Sequence, residues 1–139
     1  MKTTDFVSYD LALKLKACGF DESCIAQWAV EPDGKPILVG STAFVFSNAQ
    51  LKGRDVTAPL LYHAQKWLRE KKKINVLIGD CACGYYWEVS KAGDEQTRGT
   101  MLIYYDDNGE DENSGMWLSY EAALSAGIAA ALELIKKGE

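Results

Sequence analysis

The stretch 60–90, LLYHAQKWLREKKKINVLIGDCACGYYWEVS, changes its hydrophobic period in the middle, and that change decides the fold. Leu60, Leu61, Ala64, Trp67 and Leu68 recur at the spacing of a single buried helical stripe. Thr57 is placed to cap this helix, with Pro59 in its first turn. Arg69, Lys71, Lys72 and Lys73 crowd the last turn, where positive charge meets the negative end of the helix dipole. From Ile74 to Ile78 the β-branched residues 74, 76 and 78 alternate with Asn75 and Leu77, so the repeat has become that of a strand.

Outward from there, 79–84 is bounded by glycines and reads as a hairpin loop leading into a second strand at 85–90, with Tyr85, Trp87 and Val89 on one face. Residues 92–99 make the next turn and 100–105 a third strand, in which Tyr104 falls opposite in parity to Met101, Ile103 and Tyr105. An acidic loop, 106–113, then gives way to Ser119 as N-cap and an alanine-rich helix to about Lys137. Leu124, Gly127, Ile128, Ala131 and Ile135 form its core stripe, while Ala122, Ala126, Ala129 and Ala130 make a second surface of little bulk. The order over 57–139 is therefore α-β-β-β-α.

The first 56 residues carry a short helix from Ser8 to Cys18, stopped by Gly19 at a left-handed cap that Phe20 can close. Apolar runs at 25–30 and 36–46 flank Glu31-Pro32-Asp33-Gly34, which predicts a hairpin. Residues 47–56 are polar, contain Gly53 and read as a linker. The expectation is a single α+β domain over 1–139, built from 1–46, a linker at 47–56 and the 57–139 block, with an antiparallel sheet and helices packed on one face. A chain of 139 residues buries roughly two thirds of its unfolded surface, enough for a core without staples. No apolar run is long enough for a membrane span, and the N-terminus lacks a signal-peptide core, so the expected location is the cytoplasm.

No chemistry is spelled out. Cys18, Cys24, Cys81 and Cys83 lack the paired Cys-x2-Cys knuckles of ordinary zinc sites, and Cys18 falls on the apolar stripe of its helix. His63, the one histidine, lies a turn before Trp67 at the edge of a buried stripe. No short motif brings a nucleophile and base together. Asp106, Asn108 and Gly109 match the middle of a calcium loop, but its first and last ligand positions fall on Tyr104 and Gly115. The reading therefore assigns no catalytic residue, metal or cofactor.

Helix, three strands and helix is also the order of a double-stranded RNA-binding domain, which this chain resembles in topology. Such a domain places lysines at the start of its last helix, where this chain has Met116 to Glu121 after an acidic loop. Residues 57–139 carry nine Lys and Arg against thirteen Asp and Glu, the wrong sign for a phosphate backbone. The aromatic residues are the remaining lead. Tyr86 and Tyr104, or their opposites in parity if the register differs, are expected on the sheet face away from the helices as anchors for a protein partner, and Ala122, Ala126 and Ala129 offer a surface for close helix approach.

Residues 1–12 (MKTTDFVSYDLA), 57–70 (TAPLLYHAQKWLRE) and 120–135 (YEAALSAGIAAALELI) resemble a group of small proteins of gut-bacterial phages and mobile elements. The resemblance covers the two ends and the central helix and implies no assigned activity; the Cys81-Ala82-Cys83 run is not part of it. The functional expectation is a non-catalytic module that binds a protein partner or pairs with itself. A small enzyme with an unrecognised site and a nucleic-acid-binding domain are the alternatives.

Overall fold

The computed structural model describes residues 2–40, 45–81, 84–91, 102–103 and 117–138. The chain forms two compact units, 1–64 and 65–139. Its class is α+β, and among the described residues every strand pairing is antiparallel, in two three-stranded sheets.

In the first unit, helix α1 (Tyr9–Ala17) begins where the Ser8 hydroxyl accepts the Leu11 N–H at 3.2 Å. It ends where Gly19, at φ 97°, turns the chain so that the Phe20 N–H reaches the Leu15 carbonyl at 3.0 Å. Leu11, Ala12, Leu15 and Phe20 are buried. Strands β1 (Ala26–Val30) and β2 (Pro36–Gly40) form the expected hairpin, and Gly34, at φ 90°, supplies its left-handed turn position. Strand β3 (Val56–Thr57) adds to the other side of β1, giving the order β2-β1-β3.

Three expectations for this region are corrected or sharpened. Within the apolar run 36–46, strand β2 is described over Pro36–Gly40, residues 41–44 lie outside the described ones, and Phe46 pairs with Cys24. Thr57 does not cap a helix. It is a buried strand residue, because Pro59 disfavours helical backbone at Ala58 and the 57–60 segment is held extended against the chain's start, with Val7 N–H donating to the Pro59 carbonyl at 3.0 Å. Residues 47–56, read as a linker, are tied in from both sides. Buried Asn48 donates to the Phe20 carbonyl at 2.7 Å and accepts from Thr57 N–H at 3.0 Å, and the Asp55 carboxylate accepts from Val30 N–H at 3.0 Å.

Helix α2 (Leu61–Lys71) buries Leu61, Ala64, Trp67 and Leu68 of the stripe read from sequence, whereas Leu60, its expected first member, lies before the helix, half-buried and bridged to Phe6. It stops at Lys73, which adopts φ 60°, a conformation glycine usually supplies. In the second unit β4 (Ile74–Cys81), β5 (Gly84–Lys91) and β6 (Leu102–Ile103) form a sheet in the order β4-β5-β6. Cys81 pairs with Gly84, so the hairpin link is two residues, not the six-residue loop expected at 79–84; strand pairing continues because it satisfies backbone groups that a loop would leave to water. Residues 82–83, the turn at 92–99, Tyr104 and the acidic loop at 106–113 lie outside the described residues.

Helix α3 (Tyr120–Gly138) is capped by Ser119, whose hydroxyl accepts from Ala122 N–H at 3.1 Å. It crosses the sheet face that carries Val76, Trp87 and Val89, burying Leu124, Ile128, Ala131 and Leu132. Gly127 sets the distance: a Cβ there would stand 2.7 Å from a Val76 methyl and 3.0 Å from the Trp87 Cβ. Trp117 pairs with Tyr85 through two 2.8 Å backbone hydrogen bonds before the helix begins.

Candidate functional site

Two places in the first unit concentrate chemistry or exposed binding groups. One is a shallow depression of about 270 Å³ lined by Ser23, Cys24, Ile25, Leu60, Tyr62 and His63. The chain leaving α1 carries Glu22 to the first turn of α2, and Glu22 Oε1 lies 2.7 Å from His63 Nε2. An ionised carboxylate only accepts, so Nε2 holds the proton and Nδ1 is the nitrogen left for other chemistry. The Phe20 ring meets the imidazole edge-on, with centroids 5.4 Å apart.

Cys24 lies beside this pair with its thiol directed at the Glu22 carbonyl, 3.4 Å away. Burial pushes the thiol from an ordinary 9.0 up to about 11; the Thr57 hydroxyl works in the opposite direction and the Glu22 charge adds to the rise. At neutral pH the sulfur is protonated and a poor nucleophile. The arrangement is a carboxylate-held imidazole beside an inert thiol, able to clasp the 21–23 segment onto α2. Among the described residues, no three His, Cys, Asp or Glu side chains gather closely enough to hold a metal ion.

The second place is the outer edge of β2. The β1 face carrying Trp28 turns inward, with Trp28 Nε1–H donating to the Val7 carbonyl at 2.9 Å and the Tyr9 ring packed against the indole at 6.4 Å. Ile37 and Val39 therefore lie on the other face, opposite Ala29 and Gln27, and are 38% and 39% exposed. Trp28 and Val30 direct their backbone groups toward β3 and Asp55, so their β2 partners Leu38 and Pro36 do not bond to β1. By the same alternation the N–H and C=O of Leu38 and Gly40 point out of the sheet, together with the Pro36 carbonyl. β2 carries no charged side chain between Pro36 and Gly40.

The residues singled out from sequence are not brought together. Tyr86 sits on the sheet face opposite α3 and is half-buried, its ring lying over Gly79, where any Cβ would overlap it. Ala122 is exposed and Ala126 and Ala129 are half-buried on α3, on the other side of that sheet. Tyr104 is outside the described residues. Sequence reasoning reached His63 but not Glu22, its partner 41 residues away, and no spacing signals that pair. It found the β1–β2 hairpin but not which of its strands would be left at an edge. No helix among the described residues is long and apolar enough to cross a membrane. Comparison with protein-family models, with curated proteins and with solved structures finds no match for this chain.

Proposed function

We propose that the protein is a binding module that receives an extended polypeptide strand along the outer edge of β2. The observation that carries this reading is the uncharged edge itself. Leu38 and Gly40 offer outward backbone donors and acceptors, and Ile37 and Val39 stand beside them exposed. Edge strands of proteins that avoid pairing are usually blunted by charged side chains, bulges or a covering element. Among the described residues the one such device is Pro36, at the first position. Strand addition supplies affinity through main-chain hydrogen bonds and selectivity through alternate side chains, and this edge has both.

Among the described residues, the half-exposed Glu22–His63 pair is the one feature that favours an enzyme. Its depression is shallow, its neighbouring thiol is protonated, and no second polar group is aimed at Nδ1 among the described contacts, so binding is the better reading. The test compares the wild-type chain with an Ile37→Lys, Val39→Lys double variant of matched circular dichroism, each used to retrieve partners from extract of the source cell. Partners held by the wild type and lost by the variant support the reading. Identical retrieval by both sinks it.

A further inference from the structure

We infer that the strand accepted by β2 is β2 of a second copy of this chain, paired antiparallel about a twofold axis at Leu38. This rests on the reading of β2 as a binding edge and goes further in naming the occupant. The argument is the self-complementarity of Pro36-Ile37-Leu38-Val39-Gly40.

With the axis at Leu38, each Leu38 N–H meets the Leu38 carbonyl of the other copy, and each Gly40 N–H meets the Pro36 carbonyl of the other copy. All four outward N–H groups of the two strands are then satisfied. The donor that proline lacks is missed only by the Gly40 carbonyl, which retains access to water at the end of the ladder. Two bonds are lost to proline in this register, one at each end of the ladder, and the centre stays intact.

The side chains agree with the backbone. In the same register Ile37 stands directly opposite Val39 of the other copy, and Val39 opposite Ile37, on the face where both are exposed. Four β-branched residues thus form one unbroken row across the axis, the pairing that antiparallel strands favour. No charge is brought against a like charge within the paired segment, because it contains none. The contact is isologous and closes after two copies, since each chain's β2 edge is used once. A five-residue ladder is small for a permanent interface, so the assembly is a reversible dimer whose population rises with concentration.

The experiment is sedimentation of the whole chain across a micromolar concentration series, combined with residue-level amide exchange. The expected result is a mass that moves from monomer toward dimer, while the Leu38 and Gly40 amides slow with concentration and the Ile37 and Val39 amides, already bonded to β1, do not. Leu38→Pro removes an outward donor without breaking a bond to β1, and Val39→Lys places a charge in the apolar row; both variants are expected to stay monomeric with unchanged circular dichroism. If Leu38→Pro misfolds, Val39→Lys alone decides. A wild-type chain that remains monomeric throughout overturns self-pairing, and so does a dimer unaffected by Val39→Lys. Should the monomeric wild type still hold a host partner that Ile37→Lys, Val39→Lys loses, the binding edge stands and only its occupant was wrong.

Discussion

Cys24 shows how a single burial event removes a reactive group from play. Its thiol is held up to about 11 chiefly because a thiolate there would be taken out of water. Between about 9 and about 11 the unfolded chain releases this proton while the folded chain keeps it, so the folded state holds more protons than the unfolded state. Stability contributed by the neutral thiol is whole below the unfolded value and is lost as pH rises through the folded one. The difference in unfolding free energy between wild type and Cys24→Ala should therefore narrow as pH climbs from 8 to 11, by on the order of 2 kcal/mol. Parallel urea titrations at each pH check this; a constant difference would mean that the thiol titrates normally.

Asn48, at the same scale, is a polar residue in a polar stretch, and nothing in its neighbours marks it as buried. The residue is nonetheless only 8% exposed, and its amide bridges the Phe20 carbonyl, 28 residues earlier, to the Thr57 N–H. Sequence reading has no access to that bridge. Gly19 and Ser119 were legible because each acts on backbone groups within five residues of itself.

Two elements carry a backbone choice that their sequence alone would not recommend. Gly127 interrupts an alanine-rich helix, where alanine has the better intrinsic propensity by about 1 kcal/mol. The missing Cβ is what lets α3 lie against Val76 and Trp87. Gly127→Ala is expected to destabilise the protein by roughly 1–3 kcal/mol despite the propensity gain, because overpacking a β-branched neighbour costs more. Chemical denaturation decides the sign, and a stabilised variant would show that α3 can shift outward at little cost.

Lys73 presents the reverse case. The end of α2 demands a left-handed residue at φ 60°, and lysine fills it, with its Nζ 3.3 Å from the Glu70 carbonyl. Lys73→Gly should raise stability by about 0.5–1 kcal/mol, since that side-chain contact is exposed and weak while the relieved strain is not. A thermal shift downward would contradict this. The turn of α2 into β4 was foreseen from the change of period, but the strained residue that makes the turn was not. Nothing in a run of three lysines says which one takes the left-handed position.

The whole molecule carries a formal charge of -5, and α3 opens with Glu121 where a duplex-RNA clamp would need lysine. Counterion release then offers no driving force for binding a phosphate backbone. Fluorescence anisotropy of a labelled RNA duplex is expected to stay flat as the protein is added at low salt. A rise that collapses steeply with added salt would restore the nucleic-acid reading.

By itself, the sequence determined the α+β class, the β1–β2 hairpin, the stripe of α2, the strand periodicity after it and the capped ends of α1 and α3. All of these follow from interactions a few residues long, where propensity and periodicity act directly. Only the tertiary structure decided that the described strands form two sheets, that Thr57 joins a strand, that Glu22 holds His63, that Tyr86 covers Gly79, and that β2 is an edge among the described strands. Each of these depends on which distant backbone groups and side chains find one another first. That outcome is set by long-range pairing and close packing, for which a local pattern carries no address.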